Sequence, residues 1–368
     1  MRRWPNGAWS ILGLAAALAA LMAPACSRPK NPEGLYAEVT TNKGLIVLKL
    51  EFEKTPMTVA NFVGLAEGTI DNTASPAGVP YFDNTKWHRV VPGHVIQCGM
   101  AAGGKAEGPG YEFPNEIVLP DLNHDRAGML GMANGGPHTN GSQWYITLGD
   151  RSYLDGDYTV FGSVFAGMDV VKAVVQGDDV RTVRIVRVGK KARAFHPTTA
   201  SFKALVEEAK ARVAKADAEK KAKEDELVRA SWPGAIAAGD GLLYVVEKPG
   251  AGKPPRQSDT VKAIYSGQAP LADKRFVSTA DQGRPYWVGT PEPFELVVGK
   301  PGVNPGLDAA IAAMAKGEKR LVIVPAALGY KTSGFYAKQR LGEKRFVISP
   351  GTLLVYEVEL LDIVPAKR

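Results

Sequence analysis

Arg89 and Gln97 lie in the run Trp87-His88-Arg89-Val90-Val91-Pro92-Gly93-His94-Val95-Ile96-Gln97, which reads as two apolar strand pieces joined by a Pro-Gly turn. Strand side chains alternate faces, so positions 87, 89 and 91 share one side, and past the turn 95 and 97 share it too. Arg89, Val95 and Gln97 are therefore expected to converge. An arginine is permanently charged and offers a rigid fork of donors, and a glutamine can hold that fork by an uncharged hydrogen bond. Such a pair can stabilise a group whose charge shifts during reaction, without a nucleophile or a metal. A strand arginine that merely faces water is the competing reading.

The second segment decides between them. Met129-Leu130-Gly131-Met132-Ala133-Asn134-Gly135-Gly136-Pro137-His138-Thr139-Asn140-Gly141-Ser142-Gln143-Trp144-Tyr145-Ile146 is two apolar strand-like runs around a loop rich in Gly, Asn, Ser and Pro, with Gln143 and Tyr145 on one face. With Tyr153-Leu154-Asp155-Gly156-Asp157-Tyr158-Thr159-Val160-Phe161-Gly162, these residues resemble the cyclophilin family of peptidyl-prolyl isomerases over about residues 35–189. The resemblance implies that Arg89 is the catalytic arginine and Gln97 the residue that positions it. Val95, Tyr145, Leu154 and Phe161 would floor a proline pocket, and Ala133, Asn134 and Gln143 would bind the substrate backbone. His88, His94, Gly135, Tyr153 and Tyr158 fall at further substrate-binding positions. His94 replaces the usual aromatic floor residue and Val95 the usual methionine, which implies a shallower or more polar pocket. Tyr153 stands where cyclosporin-sensitive members carry tryptophan, which implies weak binding of that drug.

The chemistry fits these residue types. Rotation about an Xaa-Pro amide meets a barrier of roughly 18–20 kcal/mol because the C–N bond is partly double. A pocket that grips the ring, plus a fixed donor to the imide nitrogen as its lone pair localises, lowers that barrier. Each tenfold of rate needs only about 1.36 kcal/mol of preferential transition-state binding.

Length sets how these elements are packaged. The chain has 368 residues, 45% hydrophobic and 23% charged, room for at least two globular domains. Its net charge of +7 includes no basic stripe interleaved with aromatics, so nucleic acid is not an expected partner. In the first domain a helix is expected from Thr55, as cap, and Pro56 to Gly68, and another from Gly167 to Val175. Everything else there alternates like strands, and the resemblance implies a closed antiparallel barrel with two helices.

At the amino end, Arg2 and Arg3 precede an apolar run from Ile11 to Met22 and then Ala23-Pro24-Ala25-Cys26. This reads as a bacterial export signal over residues 1–25, ending in either a cleavage site or a lipobox with Cys26 as the lipidated residue. Residues 26–34 would be a tether, and the protein would sit in the cell envelope, held to a membrane through Cys26. The other cysteine, Cys98, is expected to be buried, and a disulfide framework is excluded if Cys26 is acylated. Gly99-Met100-Ala101-Ala102-Gly103-Gly104-Lys105-Ala106 nearly spells a phosphate-binding loop, but Ala106 replaces the Ser or Thr that would hold magnesium. The histidines have no carboxylate or cysteine at ligand spacing, so neither metal nor cofactor is expected.

Beyond the first domain, residues 199–230 turn to Ala, Lys and Glu, with one apolar stripe at Phe202, Leu205, Val206, Ala209 and Val213. A solvated linker helix is the main reading and a coiled-coil seam the lesser one. Residues 232–368 begin and end in strands around a helix that starts at Pro305 and stops at Gly317. Through Ala263-Ile264-Tyr265-Ser266-Gly267, Lys274-Arg275-Phe276, Phe294-Glu295-Leu296-Val297-Val298-Gly299 and the strand Leu353 to Leu361, this region resembles the FKBP family, an unrelated class of prolyl isomerase with an antiparallel sheet around one helix. Tyr265, Phe276, Phe294, Val303, Leu307, Tyr330, Ile348 and Tyr356 would line its pocket. Val277 stands where an Asp is usual, Leu307 where the floor is usually Trp, and Asn304 where an Ile is common, which implies weaker catalysis there. The expected function is prolyl isomerisation on unfolded or proline-containing exported clients, mainly by the first domain (residues 35–190). The alternative is a chaperone that only holds proline segments.

Overall fold

The computed structural model describes residues 31–102, 108–272, 274–278, 293–331, 333–338 and 344–367. The expected export signal and Cys26 lie outside the described residues, as do most of the expected tether, the second half of the near phosphate-binding loop and the side chains of Phe276 and Val277.

Nine strands build the first domain: β1 Gly34–Thr41, β2 Leu45–Leu50, β3 Thr85–Lys86, β4 Arg89–Val91, β5 Val95–Cys98, β6 Met129–Met132, β7 Trp144–Thr147, β8 Val160–Ala166 and β9 Asp179–Val188. They form one sheet in the order β3-β9-β1-β2-β8-β6-β7-β5-β4, and the pairings are antiparallel. The ladder is open, which corrects the expected closed barrel. The physical reason lies at Trp87-His88. The chain leaves β3, paired to β9, and two residues later enters β4, paired to β5, so covalent continuity joins the two sheet edges. The crossing also shifts the alternation. Trp87 is fully buried against Trp144, with ring centroids 5.1 Å apart, while Arg89 faces outward, so these two do not share a side.

Helix α1, Pro56–Glu67, lays residues 57–66 into the sheet's concave core, where Phe62 touches Phe82, Trp144 and Phe161. Pro56 suits the first turn because no partner is needed for its missing N–H. Thr55, expected to cap the helix, instead donates its hydroxyl to the Glu51 carbonyl. The free amides are met from 58 and 59 residues away in sequence: the Glu116 carboxylate accepts from Met57 N (3.2 Å), Thr58 N (2.8 Å) and the Thr58 hydroxyl (2.8 Å). Gly68 ends the helix at φ 71°, where a side chain would collide with the backbone of Gly78 and Val79. Helices α2, Met168–Ala173, and α3, Lys190–Ala194, are short.

Helix α4 spans Thr199–Ser231 behind a capping box of Thr198 and Ser201. It is not simply solvated. Phe202, Val206 and Ala209 are buried in the core of the first domain, while Val228, with Trp232 just after the helix, packs on Ile323, Leu353 and Val355 of the second. Lys220 Nζ donates to the carbonyls of Pro350 and Gly351, and Leu353 N donates to Glu224.

The second domain holds β10 Ile236–Gly239, β11 Leu242–Lys248, β12 Thr260–Ala269, β13 Lys274–Ser278, β14 Phe294–Val297, β15 Lys319–Val324 and β18 Leu354–Val364, with the hairpin β16 Phe335–Lys338 and β17 Lys344–Ile348 apart. The sheet runs β10-β11-β15-β18-β12-β13, with β14 also on β12. Helix α5, Pro305–Ala312, buries Leu307, Ala310 and Ile311 against it. The helix stops short of Gly317 because the buried Arg320–Glu318 pair takes the backbone beyond it: Arg320 donates to the Ala313 carbonyl and Glu318 accepts from Ala315 N.

Candidate active site

Antiparallel register sets four residues in one cross-strand row: Arg89 faces Gln97, Gln97 faces Tyr145, and Tyr145 faces Gly131. Gly131 leaves room there, since a side chain at that position would overlap the Tyr145 ring end. Arg89 donates to Gln97 Oε1 at 3.2 Å, and Gln97 Nε2 donates to Gln143 Oε1 at 2.8 Å. This relay fixes the guanidinium by neutral partners and leaves its charge uncancelled.

Beneath the relay is a cavity of about 310 Å³ lined by Arg89, His94, Val95, Gln97, Ala133, Asn134, Tyr145, Leu154 and Tyr158. Val95, Tyr145 and Leu154 form its buried apolar floor. A second depression of about 660 Å³ adjoins it, sharing Gln97, Ala133 and Asn134 and adding Gly135 and Gln143. Ala133 N already donates to the Gln143 carbonyl, and Asn134 Nδ2 donates to the Asp157 carbonyl, so that loop is held rigid.

Three expected pocket residues sit elsewhere. Phe161 is fully buried against Phe62 in the inner core, because its position on β8 points to the concave side of the sheet. It belongs to the packing, not the floor. Tyr153 does not line the cavity but packs against its floor of Val95, Tyr145 and Leu154, with its hydroxyl 3.0 Å from His94 Nε2. His88 bonds to Gln143 from outside the cavity, and its pKa is lowered by burial.

Two residues that sequence reasoning gave no role complete the floor. His124, wholly buried, places Nε2 2.7 Å from the Tyr145 hydroxyl and Nδ1 2.6 Å from Asp155 Oδ1. Burial lowers the His124 pKa and raises that of Tyr145. With His124 neutral, Nδ1–H donates to the carboxylate, Nε2 accepts, and the Tyr145 hydroxyl must donate away from the cavity. The floor then shows ring carbon to a ligand. The only sequence signal was Asp155 in Leu-Asp-Gly; nothing tied it to His124 or Tyr145.

In the second domain, Tyr265 packs edge-on against Phe294 (5.7 Å) and Tyr356 (6.1 Å), above buried Leu307 and Ile348, with Val303 and Tyr330 at the margin. Phe276 lies on β13, its side chain outside the described residues. Asn304 does two jobs there: Oδ1 accepts Leu307 N (3.0 Å) as the cap of α5, and Nδ2 donates to the Tyr356 hydroxyl (2.8 Å). Tyr330 joins this polar cluster through Asn304 and Tyr356.

Comparison with known proteins identifies both domains. The family model for cyclophilin type peptidyl-prolyl cis-trans isomerase matches residues 36–190, and that for FKBP-type peptidyl-prolyl cis-trans isomerase matches residues 251–361. Peptidyl-prolyl cis-trans isomerase A of Mycobacterium tuberculosis is 44% identical over 132 residues, 35% of this chain and 72% of that protein. Peptidyl-prolyl cis-trans isomerase B of Streptomyces anulatus is 40% identical over 148 residues, 39% of this chain and 84% of that protein. With that identity over most of each relative, and with an arginine fixed by neutral amides above an apolar floor, the chain belongs to the cyclophilin-type peptidyl-prolyl cis-trans isomerases and carries an FKBP-type domain behind its first.

Proposed function

We propose that isomerisation takes place in the cavity under Arg89, with Val95, Tyr145 and Leu154 gripping the proline ring. The observation that carries this reading is the Arg89–Gln97–Gln143 relay over that floor. As the Xaa-Pro amide twists, its nitrogen lone pair localises and accepts from Arg89, an interaction absent in the planar ground state. Binding the ring excludes water from the outward-facing guanidinium, which strengthens that bond. Arg89→Ala in the full-length protein should lower kcat/KM on an Xaa-Pro peptide by roughly 100-fold with the melting curve intact. An unchanged rate would defeat the assignment.

The second domain serves as a proline-segment holder more than a catalyst. The Tyr356 and Tyr330 hydroxyls and the Asn304 amide already bond to one another, and Leu307 gives a smaller floor than an indole would. Clients are unfolded exported proteins of the cell envelope, and the chain is anchored through Cys26. The support is the basic-apolar-small pattern of residues 2–26 and the polar stretch after it. Cys26→Ser should move the protein from the membrane to the soluble fraction; unchanged fractionation rejects the anchor.

A further inference from the structure

The family match to the first domain ends at residue 190, yet that domain's core continues into the linker. Phe202 on α4 is 4% exposed, and its ring lies 5.5 Å from that of Tyr111 and 5.7 Å from that of Phe113. The start of α4 is seated by two bonds from residues just beyond α1: Thr69 Oγ1 donates to the Pro197 carbonyl (2.8 Å), and Asp71 N donates to Thr199 Oγ1 (2.9 Å). Tyr111 lines the 660 Å³ depression beside the proline cavity. Its hydroxyl donates to Asn61 Oδ1 (2.7 Å), and Asn61 Nδ2 donates to the carbonyl of Gly141 (2.8 Å), a residue that also lines the depression. Phe202 thus backs a chain of contacts that ties together two stretches of the groove's lining.

The proline cavity and the depression share Gln97, Ala133 and Asn134, so the second lies open to the residues that flank a proline held in the first. We propose that Phe202, supplied by the linker helix, is a positioning residue for the peptide segment flanking the isomerised proline: it holds Tyr111, and through Asn61 the backbone at Gly141, in the shape that segment meets. Phe202 touches no reacting atom. The proposal rests on the reading of the Arg89 cavity as the proline site.

The test uses the full-length protein with two substrates, a blocked Xaa-Pro dipeptide amide and an octapeptide containing the same Xaa-Pro. Phe202→Ala should raise KM for the octapeptide about fivefold at unchanged kcat, and leave the dipeptide unaffected. Phe202→Leu, which keeps the site filled without a ring, should give a smaller rise, and it decides alone if the alanine variant does not fold. An unchanged octapeptide KM in a variant that melts like the wild type overturns the proposal. So do equal losses on both peptides, which mean general loosening. Wild-type protein inactive on both peptides would instead defeat the isomerase reading. Octapeptide affinity by fluorescence anisotropy then decides on Phe202: about fivefold weaker binding in the variant supports the proposal, equal binding overturns it.

Discussion

Tyr145 takes its orientation from His124, and His124 from Asp155, so the proline floor depends on a buried proton arrangement as much as on shape. Tyr145→Phe leaves His124 Nε2 buried without a donor, at a cost of about 1–3 kcal/mol of stability, read from the urea midpoint. No loss would mean that the hydroxyl bond contributes nothing. The same histidine should contribute to the pH dependence of stability. Its folded pKa lies below the ordinary value, so its contribution is complete above the unfolded value of about 6.5 and is lost as pH falls through the lower folded one. His88 and His138 shift the same way, both mainly by burial. These histidines lose stability as pH falls from 7.5 to 5, while Asp157, its carboxyl raised to about 6 by burial, gains it over the same range; against that background, melting of His124→Gln should fall less on acidification than that of the wild type, and an identical pH profile rejects the assignment. Arg89, Val95 and Gln97 were legible in the sequence because strand alternation places them without knowledge of the fold. Phe161 was misassigned because a short strand motif does not say which side of a curved sheet it faces. The His124–Tyr145 bond joins residues 21 apart that only folding brings together.

Among the elements, α1 shows how far a local rule can be overridden. Thr55 and Pro56 read as a start signal, and the helix does start there, but the capping acceptor is Glu116. Glu116→Ala should destabilise the protein by about 1–3 kcal/mol and exceed the cost of Thr55→Ala in chemical denaturation. The reverse order would return the cap to Thr55. Strands and helices were otherwise readable from periodicity, whereas the open ladder was not: the chain crosses between sheet edges at Trp87-His88, and no periodicity marks an edge. The apolar stripe on α4 was visible too. Its partners were not, because Tyr111 and Phe113 lie some 90 residues earlier.

On the scale of the whole molecule, the two proposed proline sites differ in what their polar groups are free to do. In the first, Arg89 is held by neutral amides and its charge faces the cavity. In the second, Asn304 and Tyr356 are bound to each other. A site that binds ground and transition states alike adds local concentration without adding rate. Deleting residues 232–368 should therefore slow turnover of an unfolded protein substrate by more than it slows turnover of a tetrapeptide. Equal losses, or vigorous peptide turnover by the isolated second domain, would contradict this division of labour.

The seating of α4 at both ends gives the molecule a ruler. A helix rises 1.5 Å per residue, so Phe202 in one domain and Val228 in the other are held about 40 Å apart. A flexible linker would let the captured segment of a client collapse onto the catalytic cavity at any spacing, but a fixed strut forbids the shortest loops. An extended chain covers about 3.3–3.6 Å per residue, so a span of that order consumes roughly a dozen residues of client. Under the proposed division of labour, contour length between prolines, a property that no pocket contact reads, would become a criterion by which clients are sorted.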